Sequence, residues 1–258
     1  MPTLLNRLLR HLRPPRENRW CIYTSAGDRN NVAQWFSGGG PRRWDLIATY
    51  YDEDEARFAE LSQRCVFSER AKGSKFQNLK RLVTAKPDIF DRYSHVWVLD
   101  DDIGVTQPLI DEAFAISAAN GFWVAQPVFA PEGKNSHPIT IATASRPGCD
   151  FRLVNFVEVG VPIFRRDKLM EFLAVYDGKL QGAGIDSWYA HALDANVPGR
   201  FAIIDRVRII NPYDEWKGGS EMNRHSTPAE RLAAWNETRA RVGWYESPKR
   251  EFQVEKKI

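Results

Sequence analysis

The sequence predicts an α/β fold with a mostly parallel central sheet flanked by helices. Two observations carry this. Short apolar runs of strand type alternate with segments of helical period over the first half, the pattern of a parallel sheet covered on both faces. Hydrophobic residues make up 43% and charged residues 27% of 258, ordinary for a chain with one sizeable core.

The elements follow in order. Arg19-Trp20-Cys21-Ile22-Tyr23-Thr24 reads as a first buried strand, with Ser25-Ala26-Gly27-Asp28 as its exit loop. Asp45 to Tyr51 forms a second strand, and 54–65 a helix. Phe76, Leu79, Leu82 and Val83 repeat at helical spacing up to Pro87. Val96-Trp97-Val98-Leu99 is a fully apolar strand that stops at three aspartates. A helix over 108–119 and a strand over 122–126 come next, then an irregular, Pro/Gly/Ser-rich stretch over 130–150.

The second half reads as an extended segment over 154–164 with a Gly-Val-Pro interruption, helices at 167–176 and 185–195, and a strand at 201–210. Thr227-Pro228-Ala229-Glu230 is a capping box that opens a last helix, which Gly243 ends. No repeat or linker divides the chain. It reads as one domain over 18–258, with a nucleotide-binding half (18–127) and an acceptor-binding half (128–258), after a basic segment over 1–17.

Composition narrows the function. A net charge of +3 is too small for nucleic-acid binding. Cys21, Cys65 and Cys149 are scattered and show no zinc spacing, as expected of free thiols in a reducing compartment. With no apolar run long enough to span a bilayer and no secretion signal, the expected location is the cytoplasm. Within residues 4–16, leucines at helical spacing alternate with arginines. Two readings stand: a helix packed on the domain, or a weak contact with the inner membrane surface.

Asp100-Asp101-Asp102 is the most informative feature. On an extended backbone, residues i and i+2 face one side, so Asp100 and Asp102 would converge beyond the strand's carboxyl end. Ligands sit at that edge in open α/β sheets. A hard cation, Mn²⁺ or Mg²⁺, held by one or two carboxylates plus substrate phosphates fits there. The competing reading is a solvated acidic turn capping the next helix. Gly104 at the fifth position excludes the D-x-D-x-[TV] pattern of haloacid-dehalogenase phosphatases.

Lys72-Gly73-Ser74-Lys75 opens a helix and could hold phosphate oxygens, though it lacks Walker spacing. Gly182-Ala183-Gly184-Ile185-Asp186 lacks the third glycine of a dinucleotide fingerprint. It delivers Asp186 to a helix start, either as an N-cap or as a catalytic carboxylate. Glu158 stands in an apolar extended segment, so it should be paired, at an edge or functional. His225 is the histidine placed to reach a metal.

In order, Lys72-Gly73-x-Lys75, Asp100-Asp101-Asp102-Ile103-Gly104-Val105, Gln126-Pro127, Val157-Glu158 with Pro162-Ile163-Phe164, Gly184-Ile185-Asp186 and Ile204-Asp205 resemble domain-of-unknown-function family 707. The likeness covers roughly 70–211, and that family is itself similar to GT-A glycosyltransferases. Asp101 replaces the family's usual glutamate, Ala183 its tryptophan, and Asn211 stands where a late histidine is expected.

The resemblance implies a GT-A-like, Rossmann-like domain that transfers a sugar from a nucleoside-diphosphate donor to a hydroxyl acceptor such as a glycan. Under it, Asp100 and Asp102 hold the metal, completed by Asn211 or His225. Thr24, Ser25, Asp28, Lys72, Lys75 and Asp101 line the donor site, and Asp186 or Glu158 acts as base. The alternatives are a non-catalytic nucleotide- or carbohydrate-binding protein and, against the scarcity of histidines, a metal-dependent phosphodiester hydrolase.

Overall fold

The structure is a computed structural model and describes residues 20–143, 148–213 and 226–252. The basic N-terminal segment with its leucine–arginine pattern, and His225, lie outside the described residues. Eight strands form one sheet: β1 (Trp20–Ala26), β2 (Trp44–Tyr50), β3 (Phe67–Arg70), β4 (His95–Val98), β5 (Val124–Phe129), β6 (Arg152–Val154), β7 (Ile163–Arg165) and β8 (Phe201–Ile209). The helices are α1 (Glu55–Ser62), α2 (Lys75–Ala85), α3 (Gln107–Asn120), α4 (Arg166–Val175), α5 (Ile185–Ala192) and α6 (Pro228–Arg241).

The sheet order is β3-β2-β1-β4-β7-β5-β8-β6. β1 to β4 pair in parallel, as do β5 and β8. β7 runs against both β4 and β5, and β6 runs against β8. The sheet is thus mostly parallel, with two reversed strands.

β1, β2, β4 and β5 are buried along their whole length, which explains their largely apolar sequences. One core lies on each face. On one, Phe76, Leu79 and Leu82 of α2 pack with Tyr23, Val98, Phe172 of α4 and Tyr189 of α5. On the other, Ile110, Ala113 and Phe114 of α3 pack with Trp20, Trp97 and Leu99. At the start of α6, Glu230 N–H donates to Thr227 Oγ1 (3.2 Å) and Thr227 N–H to Glu230 Oε2 (2.7 Å), the expected capping box. Gly243, at φ +66°, follows its end.

Three sequence expectations change. β3 was not foreseen, because Phe-Ser-Glu-Arg is a half-buried edge strand with no apolar run. The extended segment over 154–164 is two short strands, β6 and β7, joined by irregular chain, and Glu158 lies in that chain rather than in a strand. The strand expected over 122–126 begins at Val124 and runs to Phe129.

Candidate functional site

The carboxyl ends of β1, β2 and β4 meet at one edge of the sheet, as their parallel register requires. β4 is followed by Leu99 and Asp100, which keep sheet-like bonds: Leu99 N–H to Tyr23 O (3.0 Å) and Asp100 N–H to Gly160 O (2.8 Å). The chain then turns, with Ile103 N–H returning to Asp100 O at 3.3 Å. Extended alternation therefore ends at Asp100, and the geometry that would align Asp100 with Asp102 gives way to a turn. Each carboxylate has its own surroundings.

Asp100 meets Lys75. The Lys75 ammonium lies 2.7 Å from Asp100 Oδ1 and also donates to Val98 O (3.0 Å), Val159 O (3.0 Å) and Gly160 O (2.9 Å). The lysine side chain is 9% exposed and that of Asp100 45%. Burial pulls the lysine pKa down, and the Asp100 carboxylate works against that pull. Lys75 thus faces the acidic turn and the 159–160 backbone. The sequence places it at a donor phosphate; within the protein its partners are Asp100 and these three carbonyls, so it also braces Asp100. Lys72, its neighbour in the motif, is exposed and pairs with Glu53 at 2.8 Å.

Asp101 is buried and turned toward β1, where its Oδ2 accepts from Gly27 N–H (2.9 Å) and Tyr51 Oη–H (3.4 Å). Gly27 fits this spot for want of a side chain: a Cβ there would lie 2.5 Å from Tyr51 Oη and 2.6 Å from Asp52 Oδ2. Asn31 binds the same turn, N–H to Asp101 O (2.6 Å) and Nδ2 to Asp102 O. Thr24 is fully buried, and Ser25 Oγ accepts from the buried Asn78 amide at 3.1 Å. The exposed rim of this loop begins at Asp28, whose carboxylate accepts the Tyr50 hydroxyl. Tyr51, Asn31 and Asn78 escape a motif reading, since each acts through a hydrogen bond to a residue distant in sequence.

The end of β8 closes the other side. Gly104 and Ile210 exchange backbone bonds of 2.8 and 3.1 Å, which sets Asn211 one residue beyond a bridge to the acidic turn. Asp205, from the late motif, instead forms a buried pair with Arg152 Nε at 3.3 Å, joining β8 to β6.

Glu158 and Asp186 approach from the second half. Glu158 Oε1 accepts from Thr140 Oγ1 (2.8 Å), and its N–H donates to Gln126 Oε1 (2.6 Å). Burial pushes its carboxyl pKa up to about 7, against the Thr140 bond and helped by the charges of Asp186 and Asp100. Asp186 is also raised by burial, and its Oδ1 accepts from Ser187 N–H at 2.8 Å. It is not the N-cap of α5; that place belongs to Gly184, at φ +85° with the Trp235 ring closed over it. Lys249, on the chain after α6, acts electrostatically on both carboxylates and stands 3.0 Å from His137 Nδ1. No motif marked it.

Among the described residues, no three His, Cys, Asp or Glu side chains group as a metal cage. The acidic turn offers two hard oxygen donors, Asp100 and Asp102. That set fits Mg²⁺ or Mn²⁺ only if the cation takes most of its ligands from phosphate and water, a common mode for these ions.

No protein-family model matches the chain, and neither does any curated protein sequence. Solved structures do. TarS 1–349 of S. aureus aligns at TM-score 0.55 and 8% identity, covering 86% of this chain and 71% of that one. Its complex with UDP-GlcNAc aligns at 0.57 and 9%, over 84% and 64%. GalNAc-T7 with UDP, GalNAc and Mn²⁺ aligns at 0.60 and 12%, over 88% of this chain and about half (48%) of that one. No helix among the described residues is long and apolar enough to cross a membrane. The eight-stranded mixed sheet with helices on both faces is the fold of GT-A glycosyltransferases.

Proposed function

We propose that this protein is a metal-dependent glycosyltransferase that moves a sugar from a nucleoside-diphosphate donor to a hydroxyl acceptor, for instance a glycan. The observation that carries the reading is the acidic turn itself. It stands at the carboxyl end of β4, where the parallel half of a GT-A fold meets the reversed strand β7. The likeness to structures solved with UDP, UDP-GlcNAc and Mn²⁺ supports the donor class and the ion. The ordered motifs that resemble those of family 707 point to the same placement.

In this reading Asp100 and Asp102 hold Mn²⁺ or Mg²⁺, with Asn211 or His225 as a further ligand. The ion, when bound, offsets the charge that grows on the leaving diphosphate. Lys75 orients Asp100, and Asp101 fixes the β1 exit loop whose rim, at Asp28, faces the nucleotide. Glu158, with a pKa near neutrality, suits the removal of a proton from the acceptor hydroxyl better than an ordinary carboxylate; Asp186 is the other candidate. We place the protein in the cytoplasm, with residues 4–16 either packed on the domain or in weak contact with the inner membrane face.

The test is hydrolysis of UDP-sugars with and without Mn²⁺, parent against Asp102→Asn. Metal-dependent turnover lost in the variant is expected, and equal, metal-independent activity rejects the scheme. The Lys75–Asp100 pair favours a second reading, because it neutralises half of the acidic pair: a protein that binds the nucleotide without turning it over. UDP and Mn²⁺ binding in calorimetry, with no turnover, would single it out.

A further inference from the structure

A groove of about 200 Å³ opens between α5 and the chain after α6. Phe156, Ser187, Asn196, Tyr245, Glu246 and Lys249 line it. Its outer wall is fixed in place. Asn155 N–H donates to Arg250 O (3.1 Å), Arg250 N–H to Asn155 Oδ1 (2.8 Å), and Asn155 Nδ2 to Pro248 O (3.0 Å). The cavity is therefore preformed.

Its chemistry is specific. Tyr245 is 67% exposed, an aromatic ring left open at the groove. Around it stand amides and hydroxyls with only a few charges: Asp194 is paired with Arg200, Glu246 supplies a carboxylate, and Lys249 keeps its charge while donating to His137 Nδ1. No cluster of cations awaits a phosphate. An aromatic platform beside amides, hydroxyls and a carboxylate matches a neutral, hydroxyl-rich ring. The groove also touches the catalytic side, since Ser187 adjoins Asp186 on the first turn of α5 and Lys249 acts on both Asp186 and Glu158.

We infer that this groove is an acceptor subsite that seats a neutral saccharide ring on Tyr245. The assignment of the saccharide as acceptor rests on the transferase reading; its binding does not. The test is saturation-transfer NMR with the methyl glycosides of glucose, galactose and N-acetylglucosamine, and with glycerol 3-phosphate as the anionic probe. UDP-sugar hydrolysis is followed in parallel.

At least one glycoside should show transfer on the parent, weaken about tenfold in Tyr245→Ala and recover in Tyr245→Phe, with donor hydrolysis unchanged in both variants. No glycoside signal, equal binding by Tyr245→Ala, or preference for glycerol 3-phosphate overturns the inference. Glycoside binding at Tyr245 without donor hydrolysis in the parent supports the groove and rejects the transferase reading.

Discussion

The Lys75 ammonium lies 2.7 Å from Asp100 Oδ1 while donating to three backbone carbonyls, and so ties α2, the end of β4 and the 159–160 turn to one carboxylate. Replacing it with methionine fills its space but takes the lysine donor from Val98 O and Val159 O and frees the aspartate, while Gly160 O keeps its bond from Asp100 N–H. Lys75→Met should lose about 3 kcal/mol of stability in urea unfolding, since unpaired buried acceptors cost more than a lost bond returns. Metal-dependent UDP-sugar hydrolysis should fall with it.

Gly160 separates position from stability. A Cβ there would sit 2.9 Å from Asp100 Oδ2, the oxygen opposite the lysine. Gly160→Ala should cost about 1 kcal/mol in thermal unfolding. It should weaken Mn²⁺-dependent UDP binding at least tenfold in calorimetry. Unchanged affinity would show that Asp100 does not serve the metal.

Glu158 predicts a pH dependence. Its folded pKa, about 7, lies above the ordinary value of 4.5, so the folded state holds its proton longer than the unfolded chain. That contribution is fully present below the unfolded value and is lost as pH rises through about 7. Glu158→Gln should flatten the stability profile between these limits, a gain on the order of 2 kcal/mol over the parent above pH 7. If Glu158 is the base, the parent's kcat/KM should rise with pH through the same region and the variant should lose that limb.

Thr140 tunes the same group from outside. Its hydroxyl donates to Glu158 Oε1 and favours the ionised form. Thr140→Val should therefore move the acid limb of the pH–rate profile upward, leaving maximal turnover above it nearly unchanged.

Gly184 combines a left-handed φ of +85° with the Trp235 ring 2.3 Å from where a Cβ would stand. Gly184→Ala should cost 3 kcal/mol or more by denaturant unfolding, and should displace the start of α5 that carries Asp186.

The sequence made the buried elements legible because burial on both faces writes itself as an apolar run: 96–99 could scarcely be anything but a central strand. β3 escaped because an edge strand has no such run, and β6 and β7 merged because both are three residues long. At the site, the acidic triplet was visible, but its geometry was not. The alternation argument assumed extended backbone where Ile103 closes a turn. Lys75 was found by its motif, but nothing in Lys-Gly-Ser-Lys shows that its four-carbon stem reaches Asp100 and the 159–160 carbonyls. Lys249 and Tyr245 had no local signal at all; long-range backbone pairing to Leu153 and Asn155 puts them beside the site.

That pairing has a consequence for handling the protein. β6 is the outermost strand of the sheet, and residues 250–252 occupy its free side, with Val154 bridged to Glu251 and Phe252 N–H donating to Leu153 O at 2.8 Å. Trimming the chain before Lys249 would uncover a row of open amide and carbonyl groups, a template onto which another copy can add. Shortened versions should precipitate or self-associate at concentrations where the intact protein remains dispersed.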